Sequence, residues 1–148
     1  MTQNEKDLLL KDLCARLPYG VKGLVTFNGN HFMTQHQIED RTIDGKLYDR
    51  FAEFQGSWYD NVTIEPYLFP LSSMSEEQKY DFYCRFIEND CNFDDFKEFY
   101  LDNGMWHKLL TSLDDIEAII DWFHKNHLDY RGLILMGLAN DATGKNSY

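Results

Sequence analysis

The hydrophobic pattern of this chain changes period twice, and those two changes restrict its fold more than any other feature. From residue 4 to 17, Leu9, Leu10, Leu13, Cys14 and Leu17 recur at helical spacing, with Glu5, Lys6, Lys11 and Arg16 among the polar positions. Leu17-Pro18-Tyr19-Gly20 stops that helix, because proline restricts the residue before it and glycine supplies the turn. From 21 to 69 the pattern is one of short β-rich runs. Val21 to Phe27 leads into Asn28-Gly29, a strong hairpin signal, since a type I′ turn needs positive φ at both central positions; His31-Phe32-Met33 would return. Further turns are expected at Asp44-Gly45, between Arg41-Thr42-Ile43 and Lys46-Leu47-Tyr48, and near Gln55-Gly56-Ser57. Trp58-Tyr59 and Val62-Thr63-Ile64 add strand-like residues, and Pro66 and Pro70 bracket Tyr67-Leu68-Phe69 as an extended exit from the sheet.

Helical spacing returns over 75–139. Ser75 stands as an N-cap, with Glu76 and Glu77 in the positive first turn and Gln78 at the capping-box position; this helix should reach Asn89. Asn92 to Leu101 reads as a short second helix ended by Asn103-Gly104, and Ser112 as the cap of a third that runs to Asn126. Leu133-Ile134-Leu135-Met136 reads as a short terminal helix, and residues 140–148 as a frayed polar tail. The expected fold is α+β: an N-terminal helix, an antiparallel β-meander of four or five strands, then about three C-terminal helices. The 148 residues suit one domain, and a domain of this size buries about 70% of its unfolded surface without needing disulfides or metal.

Charge is unevenly spread. Residues 1–74 hold ten acids and seven bases, residues 75–129 fourteen acids and five bases, and residues 130–148 one acid and two bases, within a total of −11. The middle and later helices therefore carry the acidity. Such a field repels nucleic acid and anionic membrane and attracts basic partners, although acidity also serves solubility alone. The acidic stretch is rich in rings. On the helix after Ser75, Tyr80, Tyr83, Cys84, Ile87 and Cys91 form one stripe, while Phe82 and Phe86 fall opposite, with Phe93 extending their row. Either this helix lies between two layers or those rings face a partner.

Three cysteines without a CxxC pair argue against a zinc ribbon or a secreted disulfide module, and Cys14 reads as a small buried hydrophobe. The polar start is no signal peptide, and no apolar run spans a bilayer, so a cytoplasmic location is expected. His124 and His127 lie three apart with Asp121 a turn earlier, which is not HExxH; His127 shares a face with Ile116, Ile120 and Phe123, as a core-edge histidine would. His31 and His36 are spaced for no local chelate, so neither metal nor cofactor is expected. No phosphate-binding or nucleophile-elbow motif occurs.

Three segments carry a resemblance: 12–21 (Asp12-Leu13-Cys14-Ala15-Arg16-Leu17-Pro18-Tyr19-Gly20-Val21), 66–77 (Pro66 through Glu77), and 120–134, with Ile120-Asp121-Trp122-Phe123 and His127-Leu128-Asp129-Tyr130-Arg131-Gly132-Leu133-Ile134. Together they resemble a set of small uncharacterised proteins of phages, prophages and mobile elements of gut bacteria. The resemblance implies a genomic setting in which small acidic proteins often inhibit host defence, anti-CRISPR proteins among them; it brings no activity and no site residues.

The expected function is that of a non-enzymatic acidic protein binding a basic protein surface, with Phe82, Phe86, Phe93, Asp94, Asp95 and Glu98 as the binding residues. If that partner binds nucleic acid, the acidic face could act as a DNA mimic. The alternatives are a small hydrolase or transferase with dispersed residues, His31, His107 and Asp121 with His124 being the first candidates, and a phage assembly accessory. Arg131 is expected to fold back onto a carboxylate of the helix starting at Ser112, Asp121 being the nearest candidate, or else to face a partner.

Overall fold

The computed structural model describes residues 1–28, 37–53, 61–86, 92–98 and 115–148. The expected hairpin tip, the turn near Gln55, the helix end at Asn89, Cys91, the segment through Asn103-Gly104 and the Ser112 cap lie outside these residues. In chain order the elements are α1 (Gln3–Arg16), a 3-10 turn (Leu17–Tyr19), β1 (Lys22–Asn28), β2 (Gln37–Thr42), α2 (Gly45–Glu53), β3 (Asn61–Pro70), a second 3-10 turn (Leu71–Ser73), α3 (Glu76–Phe86), α4 (Phe93–Phe96), α5 (Ile116–Lys125), β4 (Leu128–Asp129) and β5 (Asn140–Asp141). This is an α+β fold with a leading helix, a five-stranded sheet and several helices. Where length suggested one domain, the residues gather into two compact units, 1–71 with 123–148 and 72–122.

The first unit is built around the sheet, ordered β2-β1-β3-β4 with β5 also on β3. β1 pairs antiparallel with β2 and with β3, setting Val25 opposite Glu39 on one side and Ile64 on the other. β4 and β5 are two residues each and run parallel to β3, so the sheet is mixed rather than a pure meander. The parallel pieces arise because a late segment returns to an early strand. Along β3, Val62, Ile64 and Leu68 point into the core while Thr63 and Glu65 are exposed. That alternation is the period-2 signature of a half-buried strand. It breaks at Tyr67, buried on the other face beneath the returning segment, whose Tyr148 hydroxyl donates to the Tyr67 carbonyl at 2.7 Å.

β3 also runs through Pro66, which was expected to mark the exit from the sheet. Pro66 lies opposite Gly23. A Cβ at position 23 would stand 2.7 Å from the Glu65 carbonyl oxygen and 2.9 Å from the Pro66 Cα. The two backbones approach closely there, and only glycine permits it.

Three further expectations are corrected. Asp44-Gly45 is not a hairpin turn: the Asp44 carboxylate accepts from the Leu47 amide at 2.9 Å and caps α2. Leu47 and Phe51, four apart, bury the face of that helix. Leu133–Met136 is not a helix but a chain of hydrogen-bonded turns between Gly132 and Gly137, whose φ values are 76° and 70°. Asp129 accepts from the Leu133 and Ile134 amides at 2.8 and 2.9 Å and sets the first of these turns. The tail is not frayed, since Asn140–Asp141 adds to β3 and the Tyr148 ring stacks on His127 at 4.0 Å.

The second unit is aromatic inside. Ser75 and Gln78 cap α3 reciprocally at 2.9 and 3.1 Å, as their spacing predicts. Tyr80 meets Phe93 and Phe96 of α4 at 5.3 and 5.5 Å, and Tyr83 meets Phe96 at 5.0 Å. Phe82 meets Phe86 at 4.9 Å and Trp122 at 5.2 Å. The helix therefore has ring neighbours on both of its apolar rows, the first of the two arrangements its pattern allowed. At the start of α5 the Asp115 carboxylate accepts from the Ala118 amide at 3.2 Å.

Gly23→Ala should destabilise the protein by about 1–3 kcal/mol, since the added methyl meets backbone that cannot rotate away. Gly45→Ala, where nothing lies within 4 Å, should be neutral or stabilising by up to about 1 kcal/mol. Urea denaturation of the two variants beside the wild type distinguishes them; equal effects would contradict the close approach at Gly23.

Candidate functional site

The residues expected to bind a partner divide into two groups. Phe82 is 0% exposed and belongs to the interior of the second unit, so it cannot present a ring. Phe86 and Phe93 are half-buried and spend ring faces on Phe82 and Tyr80. Asp94, Asp95 and Glu98 are exposed. Asp94 and Asp95 occupy the first turn of α4, which Asn92 caps by accepting from the Asp95 amide at 2.9 Å. Among the described residues of this unit, the rings are buried or half-buried and pack on one another, and these carboxylates are exposed. Glu76, Glu77, Asp115, Glu117 and Asp121 are exposed as well.

Charge separates between the units. Residues 72–122 hold thirteen acids and four bases, a net −9, and the remaining 97 residues hold twelve acids and ten bases, a net −2. Two of the four bases in the acidic unit are already engaged, Arg85 with Asp81 at 2.8 Å and Lys97 with Glu76 at 3.7 Å.

The first unit buries an ionic cluster that composition did not reveal. Asp12 and Arg16, both 0% exposed, pair at 2.6 and 3.2 Å, and Arg16 also donates to the Leu128 carbonyl at 2.8 Å. Arg131 Nε lies 3.3 Å from Asp12 Oδ1, and its guanidinium stands 4.7 Å above the Tyr130 ring. The carboxylate that Arg131 approaches is Asp12 of the first helix, not Asp121 of the helix expected after Ser112, because the chain turns back onto α1 after β4. Leu9, Asp12, Leu13 and Arg16 follow the i, i+3, i+4, i+7 spacing, so the buried face of α1 includes the ion pair. Choosing apolar residues alone rotates the inferred face by about 80° at 100° per residue. That rotation is why Cys14, expected inside, is exposed, and why Arg16, expected outside, is buried. Two opposite charges four apart within an apolar row are the signal that would have found them.

His124 and His127 are both buried. His124 Nε2 lies 3.0 Å from the Tyr130 hydroxyl and 3.9 Å from Asp12 Oδ1. One nitrogen faces both groups, and the Asp12 carboxylate is committed to two guanidiniums. A catalytic relay instead needs base and orienting acid on opposite ring nitrogens. His127 is buried, as expected, but not as a member of the helix face: α5 ends at Lys125, and His127 stands in the turn after it with φ 54°. Burial first, and then the Arg16 charge, hold its pKa down at about 4, with a hydrogen bond to the Tyr19 backbone opposing them. His31, His36 and His107 lie outside the described residues.

Among the described residues, no group of three or more His, Cys, Asp or Glu side chains is placed to hold a metal, and no helix is long and apolar enough to cross a membrane. Comparison with protein-family models, with curated proteins and with solved structures returns no match.

Asp12→Ala should cost about 3–5 kcal/mol, because it leaves a buried guanidinium uncompensated. Arg131→Ala should cost less, yet more than the ~0–1 kcal/mol of an exposed pair. Thermal melts of both check the order; an Arg131→Ala melt identical to wild type would show that this pair contributes nothing. For His127, the unfolded chain binds a proton between pH 6.5 and about 4 that the folded chain does not. Stability therefore falls as pH drops through that window, by roughly 3 kcal/mol at about 1.4 kcal/mol per pKa unit. His127→Asn, which tolerates the positive φ of 54° there, should flatten that slope in urea titrations. An unchanged slope would assign the acid sensitivity elsewhere.

Proposed function

We propose that this chain is a non-enzymatic interaction protein whose 72–122 unit docks on a basic protein surface. The observation that carries the reading is the segregation of charge: a unit of net −9 whose described rings pack on one another presents Asp94, Asp95 and Glu98 among its exposed carboxylates. A dense negative field speeds encounter with a basic partner and sets its orientation. Because the rings are withdrawn, charge carries more of the recognition here than aromatic anchoring would. A nucleic-acid-binding protein fits this chemistry well. The carboxylates would occupy the path of its phosphates, in the manner of a DNA mimic, and inhibition of a host nucleic-acid-directed defence is the matching role.

Capture from native cells on the immobilised chain, eluted with stepped salt and read by mass spectrometry, tests the proposal. The expected result is a protein of high pI that is released as ionic strength rises and is not retained by the variant Asp94→Asn/Asp95→Asn/Glu98→Gln. A captured set identical for wild type and variant, or binding indifferent to salt, overturns it.

A further inference from the structure

The first unit, whose charge is nearly balanced, has a cleft of about 630 Å³ lined by Lys22, Asp40, Arg41, Thr42, Tyr67, Lys145, Asn146 and Ser147. Its walls come from four parts of the chain: β1 supplies Lys22, β2 supplies Asp40 to Thr42, β3 supplies Tyr67, and the returning tail supplies Lys145 to Ser147. Tyr148 fixes the tail wall, since its hydroxyl accepts from the Lys22 amide at 3.1 Å and donates to the Tyr67 carbonyl at 2.7 Å. Three cations meet one carboxylate here, in a chain whose total charge is −11. That carboxylate, Asp40, is engaged by the Tyr67 hydroxyl, which donates to it. Lys145 stands 4.9 Å above the Tyr67 ring and Lys22 5.9 Å from the Tyr148 ring; among the described residues neither lysine has a carboxylate within ion-pairing distance. Arg41 has only a long, exposed contact to Glu39, at 3.5 Å.

We propose that this cleft binds a small phosphorylated sugar, its phosphate held by Lys22, Arg41 and Lys145. The net charge of the lining, three cations less one carboxylate, matches a phosphomonoester dianion, and an arginine fork with two ammonium groups is a strong donor set for phosphate oxygens. The volume falls within the about 300–1,000 Å³ of small-molecule sites and exceeds what a bare phosphate fills. Thr42, Asn146 and Ser147 line the remainder with groups that both donate and accept, as sugar hydroxyls require. The cleft lies wholly within the first unit, so it stands or falls apart from the acidic surface.

Titration of the full chain with ribose 5-phosphate, inorganic phosphate and ribose, followed by amide chemical shifts, tests the assignment. Ribose 5-phosphate should shift the amides of residues 22, 40–42 and 145–147 saturably, inorganic phosphate should do so more weakly, and ribose should not. Lys22→Gln/Lys145→Gln, in partly or fully exposed positions, should keep the melting temperature and weaken ribose 5-phosphate binding by about tenfold or more. Arg41→Gln serves as a second variant should that pair fail to fold. Absence of cleft shifts at millimolar ribose 5-phosphate, equal affinity for bare phosphate, or equal affinity of a folded variant and wild type overturns the proposal.

Discussion

Burial of the Asp12 carboxylate among Arg16 and Arg131 is the interaction on which the first unit depends. That unit is assembled from two stretches far apart in sequence, which meet at this cluster as well as along β3. Arg16 leaves α1 to reach the Leu128 carbonyl, and Arg131 returns to Asp12. The arrangement is costly to half-complete. Charges in a low-dielectric interior lose their hydration and recover it only if every partner is present. Even here Arg16 Nη1 and Arg131 Nε make no hydrogen bond among the described residues, the latter meeting Asp12 by charge alone, so the cluster contributes geometric specificity more clearly than net stability. Asp129, two residues before Arg131, spends its own carboxylate on the turn that follows, so one short stretch both closes the ionic cluster and redirects the chain.

Much of this could be read from residue order. The Ser75 cap, the helical run ending at Leu17-Pro18 and the strand run after Val21 follow from local chemistry, and local chemistry survives folding. Errors arose where one local signal served two structures. Asp-Gly opens a hairpin or caps a helix, and at Asp44 the decision rested on Leu47 and Phe51, buried four residues apart. Phe82 and Phe86 looked like candidates for a surface because a helix apolar on two sides is ambiguous until its neighbours are known. Asp12 and Arg16 were misplaced because hydropathy scores each residue alone, whereas a pair can enter the core that neither member would enter singly. The cleft was invisible for a simpler reason. Lys22, Arg41 and Lys145 are far apart in sequence and meet only through the sheet and the returning tail.

The two units use charge in opposite ways. In the second, the described rings pack together and acids outnumber bases thirteen to four, so its field is sensitive to ionic strength. In the first, charges are nearly balanced, and the significant ones are inward or gathered in a concavity, where screening by salt is weaker. A chain with a total of −11 therefore carries a strongly acidic unit and, in the other unit, a cleft where Lys22, Arg41 and Lys145 gather.

The position of β2 in the strand order has a consequence for how copies of this protein coexist. Among the described residues it is a border strand, bonded to β1 on one side only. Such a border offers free amides and carbonyls to any extended chain that drifts alongside. Here it reads Gln37-Ile38-Glu39-Asp40-Arg41-Thr42, with Ile38 exposed but followed by three charged side chains in succession. A second copy of this strand docking there in the antiparallel register that sets Glu39 opposite Asp40 would bring like charges together, and any register would strip water from charged groups. The residues that shape the cleft thus also act as gatekeepers, shielding the sheet from amyloid-like extension at its open margin.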